Sequence, residues 1–503
     1  MLNHAESESA QKQNSLCGHD EAAWTFGTII PRREHWCAGR WFARSRSLRA
    51  PFEEREHTGQ IRSSTRPREP RRDLPWIRSE RSIASDIRGK RARRRETAGR
   101  GHFKYVRIWY APSSRGLRMA KGRDDWKDCM KFKADRATLM KALAHVQNIV
   151  ERRNTIPILA NVMLAVRDGR LTIAATDLEI GLIEEVSAIA LRDGAATAPA
   201  ATLYEIVRRQ PEDASIELDH PGGDAPLALR SGKYTTKLVV LPTDEFPKLD
   251  AGKLTHHFVL RAQALRSLID RTKFAISTEE TRYYLNGIYL HAAESDAVPT
   301  LRAVATDGHR LARVEEPLPE GASGMPGVII PRKTVNEVRK LLDEMSADIA
   351  VALSETRIQF DFGAVRLTSK LIDGTYPDYG RVIPVGNDKI MRVDKKDFAA
   401  AVARVSAITS ERHKPVKLSV GRDLLILSAT SPDQGTATEE LESGQVKYDS
   451  SPLEIGFQAR YLNDIADQIT DEIEFCFADG ATPTLVRGAS DQSAIFVLMP
   501  MRV

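Results

Sequence analysis

The sequence predicts an α+β fold made of three tandem repeats, each with two helices and several antiparallel strands, over residues 130–503. Three observations predict it. A hydrophobic pattern recurs along the chain, a strand-to-turn motif recurs with it, and the composition changes near residue 130. The chain has 503 residues, and domains of roughly 100–200 residues favour three or four domains.

The composition changes at the start of the repeats. Residues 1–129 hold 29 Lys and Arg against 16 Asp and Glu, whereas residues 130–503 hold 45 against 52. The first segment has no sustained helical or strand period and is interrupted by Pro, Gly and Ser, so we predict that it is disordered. Three origins stay open: sequence upstream of a true start at Met130, a basic tail that binds nucleic acid, or a small folded domain.

The cysteines and the hydropathy argue against several classes of protein. Four cysteines are present, and only Cys476 lies within the three repeats. Their spacing offers neither a disulfide framework nor paired metal ligands, so we predict a cytoplasmic protein without metal or cofactor. No apolar run approaches the ~18–20 residues that span a membrane.

The first landmark of each repeat is a short strand followed by an amphipathic helix. Apolar residues stand at offsets of 2, 7 and 11 from the first one in all three repeats. Spacings of two and four place side chains on one face of a strand and of a helix, respectively. The residues are Phe132, Ala134, Leu139 and Leu143; Phe258, Leu260, Leu265 and Ile269; and Met391, Val393, Phe398 and Val402.

Three further landmarks follow in each repeat. A strand runs into a turn at 175–177, 305–307 and 429–431, reading Ala-Thr-Asp twice and then Ala-Thr-Ser. A second helix is predicted over 199–210, 331–342 and 457–469, the first two starting at proline. An apolar strand near a proline is predicted over 238–242, 365–371 and 495–500, and Asp168-Gly169 predicts a hairpin turn. The predicted domains are 130–250, 251–384 and 385–503.

The predicted helices are basic, although residues 130–503 are acidic overall. One interpretation is that exposed helix faces are simply charged. Another places one helical face against phosphates, which attract Lys and Arg without regard to sequence. Charge alone leaves both open. The basic residues are Arg136, Lys141, Arg208, Arg209, Arg261, Arg266, Arg271, Lys273, Arg332, Lys333, Arg339, Lys340, Lys395, Lys396 and Arg404.

Four motifs carry a resemblance to a known family. They read Arg-Tyr-Tyr-Leu-Asn-Gly at 282–287, Ala-Thr-Asp-Gly-His-Arg-Leu at 305–311, Ser-Lys-Leu-Ile-Asp-Gly-Thr-Tyr-Pro-Asp-Tyr at 369–379 and Met-Pro-Met-Arg-Val at 499–503. In this order they resemble the beta subunit of bacterial DNA polymerase III, the sliding clamp family. The resemblance covers residues 130–503 and none of 1–129.

The resemblance implies a processivity (DNA clamp) fold in each repeat and a head-to-tail homodimer that closes as a ring of six such domains around duplex DNA. Helices would line the hole, and sheets would form the outside. The implied function is not enzymatic: the ring tethers the replicative polymerase and other DNA-processing proteins without reading DNA sequence. The implied partners are the DNA polymerase III catalytic subunit, the clamp loader, and other DNA polymerases and repair proteins with clamp-binding motifs.

The resemblance also assigns site residues by motif. The implied DNA contacts are Arg153, Arg282, Tyr283, Tyr284, Arg332 and Lys333, although core packing would equally explain the two tyrosines. The implied ring seam uses Leu238 and Ile408. Arginines of the implied groove for partner peptides would grip the peptide at the rim, and flexible thioethers would repack around it. The groove residues are Leu285, Thr306, Gly308, His309, Arg310, Leu311, Pro377, Arg381, Val382, Val497, Met499, Pro500, Met501 and Arg502.

Two other functions compete with this interpretation. Asp307 and His309 could suggest acid–base chemistry, but the sequence contains no glycine-rich phosphate loop and no nucleophile elbow. A static DNA-binding or scaffold protein without ring closure is the second alternative. A dimer of the 130–503 region would favour the clamp over both.

We expect deletion of residues 1–129 to leave folding and dimerisation intact, because the three repeats account for every periodic segment. Sedimentation of the 130–503 protein beside the full chain measures this. An insoluble or monomeric 130–503 protein, beside a full chain that dimerises, would refute the interpretation. Mass spectrometry of the native N-terminus tests whether the protein starts at Met130.

Overall fold

The computed structural model describes residues 129–151, 155–295, 297–409 and 414–502. These ranges contain six α-helices and 26 β-strands, so the α+β prediction is confirmed. Of the segment 1–129 that is predicted to be disordered, residues 1–128 lie outside the described residues.

Each repeat contributes two helices. The first contains β1 Met130–Asp135, α1 Arg136–Gln147, β2 Asn161–Arg167, β3 Arg170–Thr176, β4 Ile180–Ser187, β5 Ile189–Arg192, β6 Gly194–Pro199, α2 Ala200–Arg208, β7 Ser215–His220, β8 Leu227–Ser231 and β9 Tyr234–Leu238. The second contains β10 His256–Leu260, α3 Ala262–Asp270, β11 Gly287–Ser295, β12 Val298–Thr306, β13 Arg310–Pro317, β14 Val328–Pro331, α4 Arg332–Glu344, β15 Ile349–Leu353, β16 Arg357–Asp361 and β17 Val365–Lys370. The third contains β18 Lys389–Asp394, α5 Lys395–Val405, β19 Pro415–Gly421, β20 Leu424–Ser431, β21 Gly435–Leu441, β22 Val446–Lys447, β23 Leu453–Gln458, α6 Ala459–Ala466, β24 Glu472–Phe477, β25 Thr484–Gly488 and β26 Ala494–Leu498.

The opening strand and helix of each repeat form as the hydrophobic spacing predicts. All twelve residues of that pattern are at most 5% exposed. Asp135 caps α1 by accepting a hydrogen bond from the backbone amide of Thr138, and Asp394 caps α5 by accepting from the amides of Lys396 and Asp397. A carboxylate at this position satisfies amides that the helix leaves without partners.

The second helices also agree with the sequence. Pro199 and Pro331 directly precede α2 and α4, where a missing N–H leaves no hydrogen bond unmade. Asp168 and Gly169 join β2 to β3 with φ values of 51° and 77°. Such a turn matches the twist of a hairpin, which confirms the predicted turn.

The prediction of a strand over 238–242 is wrong. The strand at that position is β9, which ends at Leu238. The backbone beyond it bonds to a side chain instead of a neighbouring strand, because the Thr197 hydroxyl accepts from the Leu241 amide at 2.9 Å and donates to the Leu241 carbonyl at 2.8 Å. Pro242 then leads into a short 3₁₀ turn.

Antiparallel strand pairs join the repeats into continuous sheets. Strand β17 pairs with β4, so an eight-stranded sheet runs from the second repeat into the first. Strand β13 pairs with β26, so a nine-stranded sheet runs from the second repeat into the third. In the described ranges, β9 and β21 end the five-stranded and four-stranded sheets, with the orders β5-β1-β7-β8-β9 and β21-β20-β19-β23.

A histidine of α1 links the first repeat to the second. His145 is 8% exposed, and its Nδ1 lies 2.8 Å from Glu184 Oε2 on β4. Its Nε2 lies 3.1 Å from Glu344 Oε1 at the end of α4. Burial disfavours the charged ring, but hydrogen bonds and charges of Glu184 and Glu344 outweigh burial and raise the pKa of His145. The protonated ring can donate to both carboxylates at once.

We expect the free energy of unfolding to fall as the pH rises through this raised pKa. The contribution is fully present below the ordinary histidine pKa of 6.5 and is lost above the pKa of the folded state. His145→Gln should flatten this pH dependence and cost about 1–3 kcal/mol on the acidic side, where the ring forms charged hydrogen bonds. Denaturant unfolding of both proteins across the range measures the effect, and parallel pH profiles would contradict it.

Candidate functional site

A tight turn between β12 and β13 forms one side of the implied groove. Asp307 Oδ1 accepts hydrogen bonds from the backbone amides of His309 and Arg310 at 2.9 and 3.0 Å. Thr306 Oγ1 accepts from the Gly308 amide at 3.1 Å and donates to the Arg310 carbonyl at 2.7 Å. Gly308 has φ +88°, in the left-handed region that glycine adopts most easily. Each residue of the Thr-Asp-Gly sequence therefore has a structural task.

The structure brings three predicted groove residues together in one apolar cluster. Leu285, Leu311 and Val497 are 4%, 1% and 1% exposed. Val497 belongs to the third repeat and pairs with Leu311 of the second, so the cluster crosses the junction. Its other buried members are Val304, Ile329 and Tyr376. These residues form the apolar floor of the implied groove.

The C-terminal tail lies along the same junction. The Met499 amide donates to the His309 carbonyl at 2.9 Å, and the Met501 amide donates to the Gly456 carbonyl at 2.9 Å. Met499, Pro500 and Met501 are half-buried. The tail is thus fixed by backbone bonds to both repeats, and its side chains keep part of their surface accessible.

The segment after β17 carries Pro377, Arg381 and Val382 of the predicted groove. Pro377 is exposed, and the Val382 side chain retains 37% exposure. The Arg381 side chain is 86% exposed, and its Nε lies 3.0 Å from Asp378 Oδ2. These side chains have the accessibility that a peptide would need.

Two tyrosines of this segment were not among the predicted residues. The Tyr376 ring stacks on Tyr289 with centroids 4.8 Å apart. The Tyr379 hydroxyl lies 2.9 Å from His291 Nε2 and 2.9 Å from Arg302 Nη1. Both tyrosines lie within the quoted motif at 369–379, on either side of Pro377. That position was the signal that could have identified them.

The predicted rim role of Arg310 is wrong, because its side chain is only 4% exposed. Its guanidinium lies 3.1 Å from Asp307 Oδ2 and 2.6 Å from Asp464 Oδ2, and it donates to the Phe274 carbonyl at 2.5 Å. It also lies over the Tyr461 ring, 4.3 Å from the centroid. Asp464 and Tyr461 belong to α6, so Arg310 holds the second and third repeats together.

The acid–base alternative finds no support in this geometry. The Asp307 carboxylate accepts from backbone amides and from Arg310. The His309 ring faces Tyr461 instead, with centroids 6.4 Å apart. Within the described ranges, no group of three or more His, Cys, Asp or Glu side chains could hold a metal ion.

The residues predicted to contact DNA differ in their exposure. Arg153 lies outside the described residues. Arg332 is exposed at the start of α4, and Tyr283 is 53% exposed, which argues against core packing. Arg282 is half-buried, with its Nη2 2.8 Å from Glu279 Oε1.

Two of these residues have partners within the chain. Tyr284 is half-buried and packs against the apolar cluster of the groove, so core packing explains it better than DNA contact. Lys333 Nζ forms an ion pair with Asp177 and donates to the Ile149 carbonyl, both in the first repeat. This ion pair links the second repeat to the first, and the DNA contact of Lys333 stays a prediction.

The two predicted seam residues lie beside the free sheet edges. Leu238 ends β9 but is only 7% exposed, because it packs into the core of its own repeat. The next residue, Val239, is 76% exposed and was not predicted. Ile408 is half-buried in a short 3₁₀ turn that contacts β21.

Comparison with known families matches all three repeats. The N-terminal domain of the DNA polymerase III beta subunit matches residues 130–250, the central domain 259–378 and the C-terminal domain 380–502. The beta sliding clamp of Caulobacter vibrioides is 48% identical over 375 residues, which are 74% of this chain and 100% of that protein. The Escherichia coli K12 beta sliding clamp is 34% identical over 376 residues, again 74% and 100%.

Solved structures give the same relationship. A Caulobacter crescentus beta sliding clamp with polyethylene glycol bound superposes with a TM-score of 0.73 at 48% identity, covering 75% of this chain and 100% of that one. A Bartonella birtlesii sliding clamp bound to griselimycin has a TM-score of 0.72 at 46% identity, with the same coverage. No helix in the described part of the chain has the length and apolarity to cross a membrane.

Three two-helix repeats joined edge to edge by their sheets define the class of DNA clamp proteins. The chain belongs to the DNA polymerase III beta subunit family. Its function is that of a DNA sliding clamp, a processivity factor without catalytic activity of its own, in agreement with the prediction from the motifs.

We expect Arg310→Ala to destabilise the junction between the second and third repeats. The change leaves the partly buried carboxylates of Asp307 and Asp464 without their shared cation, and losing charged hydrogen bonds of this kind costs about 1.5–3 kcal/mol. Arg381→Ala is the matched control, because that exposed side chain should contribute at most about 0.5 kcal/mol. Denaturant unfolding of the two variants distinguishes them, and equal small losses would show that Arg310 is not structural.

Proposed function

We propose that two copies of this chain close head to tail around duplex DNA, and that the groove at 285–311, 377–382 and 497–502 binds peptides of partner proteins. The position of the free sheet edges is the observation that supports ring closure. Strands β4, β13 and β21 occupy the same place in the three repeats, and so do β17, β26 and β9. Both internal junctions pair the first kind of strand with the second.

Among the described residues, β21 and β9 are the two members of these sets that pair with no strand of another repeat. Pairing β21 of one copy with β9 of another would repeat the internal junction and satisfy backbone groups that edge strands leave open. Lys237 on β9 and Glu440 on β21 are exposed and of opposite charge, which favours this pairing over β9 with β9. A head-to-tail contact made twice closes a dimer.

The helices provide the surface proposed to face DNA. They hold 12 basic and 7 acidic side chains, against an overall balance of −7 for residues 130–503. Basic residues stand in the first turns of α1, α4 and α5, at Arg136, Arg332, Lys395 and Lys396. The helix dipole disfavours a cation there. Phosphates nearby would reverse that preference and would do so for any DNA sequence.

The groove supports binding of short peptides. Its floor is apolar and buried, and its walls are the accessible Pro377 and Val382 on one side and Met499 and Met501 on the other. Methionine side chains adapt to differently shaped ligands, which suits a site shared by several partners. The proposed partners are the DNA polymerase III catalytic subunit, the clamp loader, and other DNA polymerases and repair proteins that carry clamp-binding motifs, in the cytoplasm.

We expect the protein to stay on nicked circular DNA after loading and to leave when that DNA is linearised, because a closed ring is held by topology. Val239→Asp should give a monomer in sedimentation and abolish retention, since it places a charge at the free edge of β9. Val298→Asp, which alters an exposed valine away from both edges, is the control. Retention on linear DNA, or preference for one sequence, would contradict the ring.

Removal of residues 499–503 should abolish binding of a short peptide anchored by a leucine and an aromatic, because the tail forms one wall of the groove. Met501→Ala should weaken binding by roughly 1–2 kcal/mol, about the loss of a half-buried apolar side chain. Calorimetry measures the affinity, and sedimentation checks that the truncated chain still dimerises. Unchanged affinity in the truncated dimer would refute the groove assignment.

A further inference from the structure

A second cleft lies at the junction of the first and second repeats. Its cavity volume is about 330 Å³. The turn after β3, the segment at 247–250 and the end of β17 enclose it, as the turn after β12, the segment at 377–382 and the tail after β26 enclose the groove. The cleft therefore occupies, one repeat earlier, the place of the groove.

The correspondence extends to individual hydrogen bonds. Asp177 Oδ1 accepts from the amides of Glu179 and Ile180 at 2.9 and 2.8 Å, and Thr176 Oγ1 accepts from the Leu178 amide at 3.0 Å. These are the bonds of the Asp307 turn. The Lys370 amide donates to the Glu179 carbonyl at 2.8 Å, as the tail does to the second turn.

The floors correspond as well. Beneath the cleft lies a cluster of Ile158, Leu159, Ala174 and Phe246. Leu159, Ala174 and Phe246 occupy the repeat positions of Leu285, Val304 and Tyr376 in the groove cluster. A buried apolar floor is therefore present at both junctions.

The two sites differ at the residue that follows the Thr-Asp pair of the turn. Leu178 takes the place of Gly308 and keeps a positive φ of 78°, a conformation that is unfavourable for leucine. Its side chain is 44% exposed at the cleft. The exposed apolar surface of Leu178 is therefore available to an apolar group of a ligand.

The charged lining has one more basic than acidic side chain. Lys248, Arg357 and Lys370 line the cleft, against the carboxylates of Glu179 and Asp250. Glu179 pairs with Lys370 at 2.9 Å, and Asp250 Oδ1 accepts from the Gly252 amide.

Arg357 donates to the backbone carbonyl of Asp250 and, within the described ranges, has no carboxylate in ion-pair contact. The cleft therefore offers a guanidinium whose charge is not balanced by a carboxylate.

We propose that this cleft is a second peptide-binding site, and that it takes an extended acidic segment of a partner protein. One apolar side chain of the segment packs against Leu178 and Leu249, and a carboxylate pairs with Arg357. The inference rests on the proposed function, because peptide binding in the groove supplies the analogy. The two sites differ in selectivity, because the Arg357 guanidinium in the cleft requires an acid in the bound segment.

The test uses the full chain truncated after residue 498, in which the groove lacks its wall. The probe is the capped hexapeptide Ala-Leu-Glu-Leu-Asp-Ala, and its twin Ala-Leu-Gln-Leu-Asn-Ala lacks only the charges. Methyl NMR should place the acidic probe beside Leu178 and Leu249, with affinity at least about fivefold above the twin, because charge-assisted bonds are the stronger kind. Equal binding of the two peptides, or no binding, overturns the proposal.

Two variants of the truncated chain locate the site. Arg357→Gln should weaken the acidic probe severalfold, while Arg422→Gln, at an exposed turn of the third repeat, should not. Leu178→Gly should weaken both peptides without lowering the melting temperature, because glycine suits the positive φ. Unchanged affinity in Arg357→Gln and Leu178→Gly overturns the proposal. Failure of the groove assignment is separate, since it shows as leucine–aromatic peptide affinity that survives loss of the tail.

Discussion

Strand pairing between repeats is the interaction on which the rest of the structure depends. An edge strand presents backbone amides and carbonyls that need partners. At the two internal junctions β4 pairs with β17 and β13 with β26, so each junction is held by main-chain hydrogen bonds. The orientation of one repeat is thereby set by the backbone of the next. Because β9 and β21 hold the same positions and keep an open side, the requirement that builds the chain also favours its assembly.

At each junction the same pairing brings a Thr-Asp turn against the end of a neighbouring strand, and the aspartate of the turn forms an ion pair. At the second junction the cation is local, since Arg310 follows Asp307 by three residues. At the first junction Ile180 stands in the position of Arg310, and Lys333 of α4 neutralises Asp177 instead. Both solutions tie neighbouring repeats together, and they leave clefts of different chemistry above similar floors.

The sequence predicted the elements that form within one repeat and missed the contacts between repeats. The strand–helix openings were predicted correctly, because burial within one repeat imposes the spacing of Phe132, Leu139 and their equivalents. The motifs predict the groove residues, but they did not indicate the structural role of Arg310, because it depends on Asp464, 154 residues further along. The ion pair of Lys333 was not predicted for the same reason: its partner Asp177 is 156 residues away. Sequence spacing carries no information about such contacts.

Charge placement gives the last constraint. On the strands, basic residues have acidic partners beside them: Lys131 lies 3.0 Å from Asp219, and Arg392 lies 2.9 Å from Glu474. On the helices, Arg332 and Lys396 stand in first turns without an ion-paired carboxylate among the described residues. Paired charges stabilise a sheet surface, whereas a cation at a helix start works against the dipole. We therefore attribute these two cations to an anion outside the chain. The phosphates of duplex DNA would supply that anion at every position along the hole of the proposed ring.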